Sequence, residues 1–201
     1  MSKINKILVG TNNKGKFSEI VDLLPKNIEK VSPNELNIGS PEETGKTYLE
    51  NSELKANFFC QQSKMITISD DSGLEVDCLD GKPGIFSARW ATDHGSFYNA
   101  SLEILKRVDA FNKDKKLKNN NAKFVCALTI QWPDGKKYSE VGSIDGEITK
   151  IKGENGFGYD PIFIPRGFSE TFAEMKYADK LAMDHRNIAF KKLKKKIKNY
   201  F

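Results

Sequence analysis

Histidine and cysteine are scarce in this 201-residue chain, and their scarcity closes off several chemistries. Only two histidines are present, His94 and His185, which excludes a metal centre built on a histidine cluster. A Ser/His/Asp triad is allowed by count, but no G-x-S-x-G elbow accompanies it. The three cysteines, Cys60, Cys78 and Cys126, are odd in number, far apart and never arranged as CxxC. Neither a disulfide frame nor a zinc knuckle is expected, and the thiols read as reduced. Long apolar runs are also missing. The opening MSKINKILVG is too short in apolar residues for a signal-peptide core, and nothing approaches a membrane-spanning stretch. These absences predict a cytoplasmic protein with no membrane partner.

With 38% hydrophobic and 29% charged residues, the composition is that of an ordinary globular chain. The length suits one domain, residues 1–201, able to bury roughly 70% of its unfolded surface. The net charge of +5 is uneven: Lys191 to Lys198 (KKLKKKIK) holds six lysines, so the rest of the chain sums to −1. A second basic patch, Asn112 to Lys123, reads as an exposed loop. The positive balance therefore belongs to the tail rather than to a face spread over the fold, and no nucleic-acid partner is expected.

The periodicity predicts a mixed α/β sheet. KILVG reads as a first strand, and Phe17, Ile20, Val21 and Leu24 recur at helical spacing until Pro25. Thr47 and Glu50 fit a capping box opening a helix through LENSELKANFFCQQ. MITIS and LEVDCL read as two short strands, and a helix from about Ser96 to Val108 carries Leu102, Leu105 and Val108. AKFVCALTIQW alternates, with Phe124, Cys126, Leu128, Ile130 and Trp132 on one face, and PDG turns it into KKYSEVGSI as an antiparallel hairpin. IFI is a further short strand. The last helix carries Phe190, Leu193 and Ile197 as an apolar stripe among its lysines.

Four stretches carry chemistry. GTNNKGKF, Gly10 to Phe17, nearly satisfies a P-loop but has Phe17 where a magnesium-binding hydroxyl belongs. A strand–loop–helix with Lys14 and Lys16 still makes a phosphate cradle, with a polar turn as the competing reading. Asp70 and Asp71 close the MITIS run, and with Glu42 and Glu43 they supply hard oxygen ligands for Mg²⁺. The alternative for the doublet is a simple Asp-Asp-Ser-Gly turn. GENGFGYDPIF offers Phe157 or Tyr159 as a flat face for a base, or as core aromatics. In KLAMDHR, Asp184 is suited to cap the final helix. Arg186 then falls in its first turn, against the helix dipole, which calls for an anionic partner nearby.

TNNKGK, EETGKTYLENSELKA, SDDSGLEVDCLDGKPGIFSAR, GFGYDPIF and KLAMDHR run in order from Thr11 to Arg186, and together they resemble the inosine triphosphate pyrophosphatase family. The resemblance implies an elongated, two-lobed α/β fold with a central mixed β-sheet flanked by helices and a nucleotide cleft between the lobes. It implies Mg²⁺ dependence, a homodimer, and hydrolysis of ITP, dITP and XTP to the monophosphate plus pyrophosphate. On that basis Thr11, Asn12, Asn13, Lys14, Gly15 and Lys16 cradle the triphosphate. Glu42 and Asp71 are metal-associated, with Asp71 also the base, and Ser72 touches the substrate. Phe157, Gly158, Tyr159, Asp160, Lys180, His185 and Arg186 hold the base and phosphates. The chain departs from the family at Asp184, where serine is usual.

The implied step is in-line attack of water on phosphorus, with Lys16, Lys55 and Lys180 stabilising the leaving pyrophosphate. Arg186, which has only donors, suits the O6 acceptor of hypoxanthine or xanthine and not the N6 donor of adenine. A pyrophosphatase for modified pyrimidine triphosphates, an RNA-binding module using the basic tail, and a P-loop phosphotransferase are the alternatives.

Overall fold

The computed structural model describes residues 3–200. In chain order the elements are β1 (Lys6–Val9), α1 (Lys14–Leu23), β2 (Glu29–Val31), α2 (Tyr48–Ser63), β3 (Thr67–Val76), α3 (Ser87–Asp93), α4 (Phe97–Asn112), β4 (Asn121–Gln131), β5 (Lys137–Ile148), β6 (Phe163–Pro165), α5 (Tyr177–Met183) and α6 (His185–Ile197). The strands form one six-stranded sheet in the order β2-β1-β3-β4-β5-β6. It is mixed, as its sequence predicts: β1 pairs in parallel with β2 and β3, and β5 pairs antiparallel with β6. A five-residue turn joins β4 to β5, closed by a 2.8 Å bond from Trp132 N–H to the Lys136 carbonyl. So short a connection permits only an antiparallel neighbour.

The chain packs as two compact units. One comprises Met1–Asp71, Cys126–Gly142 and His185–Phe201; the other comprises Ser72–Val125 and Ser143–Asp184. β3, β4 and β5 each contribute residues to both.

In the first unit the alternation of strand side chains assigns each face its helices. Ile7 and Val9 of β1 and Ile68 of β3 join one cluster with Ile20 of α1, Leu24 at its C-terminal end, and Ala189, Phe190, Leu193 and Ile197 of α6. Leu8, between them in sequence, packs on the other face against Phe59 of α2. The predicted stripe of α6 is thus core, and its lysines line the outer side. Helix starts follow their caps. The Thr47 Oγ1 accepts from Glu50 N–H at 3.1 Å, and Glu50 reaches back to Lys46 N–H at 2.7 Å, closing the capping box one residue early.

The second unit is built on Leu74 and Val76 of β3, Ile104 and Val108 of α4, Phe124 of β4, and Phe163 and Phe172. Leu102, expected with that apolar stripe, instead faces solvent. Ala100, Ser101, Ile104 and Val108 take the buried side of α4, because the true stripe starts one residue after the N-cap Ser96 admits the helix.

The sequence reading divides β3 into two strands around a possible Asp-Asp-Ser-Gly turn. The structure corrects this: the strand runs unbroken through Asp70, Asp71, Ser72 and Gly73. Turn propensity loses there because the carboxylates have buried cationic partners, described below.

At Gly142 of β5 the backbone of α6 comes close against the sheet. A Cβ there would lie 2.3 Å from both the His185 carbonyl oxygen and the Ala189 nitrogen of α6. Those atoms are backbone and cannot rotate away, so Gly142→Ala is expected to cost about 1–3 kcal/mol by displacing α6. A denaturation midpoint equal to that of the parent would show that the helix yields freely.

Candidate active site

The register of β1 on β3 pairs Val9 with Ile68, and Gly10 N–H donates to the Ile68 carbonyl at 2.8 Å. The glycine loop therefore leaves β1 beside the point where β3 reaches the acid doublet. The loop is shorter than the sequence suggests. Asn13 caps α1 through a 3.0 Å bond from Lys16 N–H to its Oδ1, so Lys14, Gly15 and Lys16 form the first helical turn. Thr11 accepts from Asn13 N–H at 3.2 Å, and Asn12 donates to Ser40 at 2.8 Å. Thr11, Asn12, Asn13 and Lys14 line a pocket of about 290 Å³ together with Phe17, Ser18, Ser32 and Asn34. Backbone N–H groups at a helix start beside two lysines suit a polyphosphate.

Because neighbouring strand residues point to opposite faces, the doublet serves two clusters. Asp70 points to the α1/α6 face. Its Oδ2 lies 3.0 Å from Nη2 of Arg186 and 3.4 Å from Nζ of Lys16, and Nη1 of Arg186 donates to Glu19. Burial alone would raise the Asp70 pKa; the charges of Lys16, Arg186 and Lys55 outweigh it and hold the carboxyl far below the usual range. The anionic partners that Arg186 needs in the first turn of α6 are thus Glu19 and Asp70. His185, its neighbour, is buried as well.

Asp71 points to the α2 face. Nζ of Lys55 lies 3.3 Å from its Oδ1, and the Asn51 amide donates to its Oδ2 at 3.1 Å. Asn51 also accepts from Gly45 N–H at 2.8 Å, tying the EETG stretch to the carboxylate. Lys55 makes a second ion pair with Glu43. Glu42, the carboxylate implied by the family resemblance, is exposed beside Glu43. Burial pushes the Asp71 pKa up, against the Lys55 and Lys16 charges, and Glu43 adds like-charge repulsion. Burial would lower that of Lys55, but Asp71, Asp70 and Glu43 together hold it above its ordinary value. Asp71 is thus a basic carboxylate beside a permanent cation, an arrangement fit to accept a proton.

In the second unit, Asp160 organises the aromatic–glycine loop. Its Oδ2 accepts from Phe157 N–H at 2.9 Å and from Nζ of the buried Lys180 at 2.5 Å. A Cβ on Gly156, whose φ is +74°, would strike that same oxygen at 2.2 Å. Lys180 Nζ also sits 4.7 Å from the Phe157 ring centroid, within cation–π range. The two aromatics part ways. Tyr159 is core, edge-on to Phe97 and donating to the Ser87 carbonyl at 2.9 Å, and burial pushes its phenol pKa up. Phe157 and Gly158 are only half-buried, so Phe157 keeps a face for a ligand. Ser72 is half-buried in β3.

Glu19 and Asn51 were not singled out by the sequence reading. The signal for both was present: Glu19 sits next to Ile20 on the buried side of α1, and Asn51, Ser52 and Lys55 share the buried stripe of α2 with Ala56 and Phe59.

The Ham1 family's sequence model matches residues 7–196. The chain belongs to the Ham1 family. Among its relatives, the dITP/XTP pyrophosphatase of Rhodospirillum centenum is 42% identical, over 93% of this chain and 92% of the relative. That of Caulobacter vibrioides is also 42% identical, over 94% and 96%. The structure of a HAM1 protein from Coxiella burnetii superposes with a TM-score of 0.85 at 30% identity, covering 98% of this chain and all of that one. The family resemblance drawn from five motifs is borne out, and so is the mixed, helix-flanked sheet. No helix of the described residues is long and apolar enough to cross a membrane.

Proposed function

We propose that this Ham1 protein hydrolyses noncanonical purine nucleoside triphosphates (ITP, dITP and XTP) between the α and β phosphates, releasing the monophosphate and pyrophosphate. The observation that carries the proposal is Asp71: a buried carboxylate of raised basicity, oriented by Lys55 and Asn51, on the strand beside a phosphate-binding loop. The relatives named dITP/XTP pyrophosphatase support the substrate class.

In this reading Thr11 to Lys16 hold the phosphates, and Asp71 takes the proton of the water that attacks phosphorus. The bond to the pyrophosphate oxygen breaks as the new P–O bond forms, and Lys16 and Lys55 neutralise the charge arriving on the leaving group. Phe157 offers its open face to the base, with Gly158, Asp160 and Lys180 shaping that loop. Ser72 and His185 complete the substrate contacts. Arg186 holds Asp70 in place, since both of its terminal nitrogens are on carboxylates.

Mg²⁺ fits the residues present. Asp71 and Glu43 converge on one ammonium, so positive charge is already favoured there. No group of three or more His, Cys, Asp or Glu among the described residues is placed to hold a metal by itself. One or two carboxylates completed by substrate phosphates is the usual Mg²⁺ set. We assign the protein carboxylates to Asp71 and the Glu42–Glu43 pair, with Glu43 the nearer to Lys55. When bound, the ion would supply Lewis-acid charge to the phosphates. Family membership supports a homodimer acting on the cytoplasmic nucleotide pool, without nucleic-acid or membrane partners.

The test is product release from ITP, XTP, dITP, GTP, ATP and dUTP, with Mg²⁺ and with chelator. Metal-dependent pyrophosphate from ITP and XTP, with little from ATP, is expected. Orthophosphate in its place would mean cleavage at the γ position and would sink the mechanism, while preference for dUTP would move the substrate class to pyrimidines.

A further inference from the structure

We propose that Glu19 is a positioning residue for Lys16, acting through Arg186 and Asp70. The proposal deepens the triphosphate reading above and rests on it for its kinetic arm.

Glu19 lies three residues after Lys16 on α1, fully within the protein, next to the core residue Ile20. A carboxylate on the packed side of a helix needs a paired charge. Its partner is Nη1 of Arg186, a side chain with no solvent exposure. The other terminal nitrogen, Nη2, is 3.0 Å from Oδ2 of Asp70, and Lys16 Nζ is 3.4 Å from that same oxygen. The four groups are two anions and two cations. Three have side-chain exposures of 0–1%, whereas Lys16 retains 17% and is the one member open to a ligand.

The sharing of the Asp70 oxygen is what Glu19 controls. With Glu19 charged, the guanidinium is balanced from two sides, and Asp70 has attraction left to fix the Lys16 ammonium. With Glu19 neutral, the buried guanidinium draws harder on Asp70, and it competes better than a partly solvated ammonium because its field is less screened. Asp70 then turns to Arg186 and Lys16 relaxes toward solvent. Lys16 would still meet a bound phosphate, but no longer in the orientation needed as charge moves to the leaving group. The loss therefore falls on turnover rather than on ground-state binding.

The first variant is Glu19→Gln, which keeps the shape and removes the charge. In full-length protein labelled with ¹⁵N-lysine, the Lys16 Nζ signal, assigned by its loss in Lys16→Arg, is expected in the parent and lost in Glu19→Gln. With ITP and Mg²⁺, kcat is expected to fall about tenfold with KM changed less than about threefold. In a Lys16→Met background, adding Glu19→Gln should have no further effect, because the residue acts through the missing ammonium. A merely structural glutamate would lower stability and leave those three readouts unmoved. If Glu19→Gln does not fold, Glu19→Asp replaces it: the Lys16 signal should persist and kcat should fall about threefold. A retained Lys16 signal in Glu19→Gln, an undiminished effect in the Lys16→Met background, or loss of the Lys16 signal in Glu19→Asp would each overturn the proposal. Failure of the activity reading is separable: a parent that releases no pyrophosphate, but whose Lys16 signal depends on Glu19 as stated, removes the activity and leaves the positioning standing.

Discussion

Asp71→Asn is expected to reduce pyrophosphate release from ITP by about 10³-fold or more, with thermal stability not lower than that of the parent. The two halves of this expectation come from the same physics. Asparagine has the shape of aspartate, keeps a carbonyl oxygen for the Asn51 amide and leaves Lys55 its second partner, Glu43. What disappears is the charge, and with it both the proton acceptor and the carboxylate offered to Mg²⁺. The folded pKa of Asp71 is raised by burial, so ionising this group opposes folding. A raised acid stabilises the fold at low pH and loses that contribution as pH rises through the folded value; at neutral pH the charged form is a net cost. Removing the charge therefore spares stability while removing function. Steady-state kinetics and melting curves on the same preparation decide it. An Asp71→Asn enzyme within tenfold of the parent would remove Asp71 from the chemistry, and a melting temperature far below the parent's would assign it a structural part.

The residue next door should behave in the opposite way. Arg186→Met leaves Glu19 and Asp70 buried without the guanidinium they share, and breaking such a pair from one side costs about 3–5 kcal/mol. For a chain of this size that corresponds to a fall of roughly 10 °C in Tm. The pH dependence has a definite sign. The folded pKa of Asp70 is strongly depressed, so its ionisation contributes stability that is fully present above its unfolded pKa, about 4, and is lost as pH falls below it. Lys16 and Lys55 still lower the Asp70 pKa in the variant, but the charge and hydrogen bond that Arg186 contributes are gone. The stability gap between parent and Arg186→Met should be widest above about pH 4 and narrow in stronger acid. Denaturation series from neutral to acid pH measure it; a gap that stays constant, or widens on acidification, would show that Arg186 does not act on Asp70's charge.

Two adjacent aspartates with opposite pKa shifts explain why the doublet is ambiguous in the sequence. Asp-Asp-Ser-Gly is good turn chemistry, and only the arrival of Arg186 from α6 and Lys55 from α2 makes an extended strand the better solution. Both partners are far away in the chain, and no local propensity reports them.

Much was nonetheless settled by the sequence. The capping residues Thr47 and Ser96 satisfy local backbone donors, and the helices expected there start accordingly. The alternation of Phe124 to Trp132 and the PDG turn produced the β4–β5 hairpin, and the spacing of Phe190, Leu193 and Ile197 fixed which side of α6 is buried. Five ordered motifs carried the family. These features are legible because they depend on periodicity, caps and order along the chain. What the tertiary structure decided is how the charges are shared: that Glu43 rather than Glu42 meets Lys55, that Glu19 and Asp70 divide Arg186 between them, and that Tyr159 is core while Phe157 stays open. Coulomb energies depend on distance and burial, and both exist only once strands and helices distant in sequence have packed together.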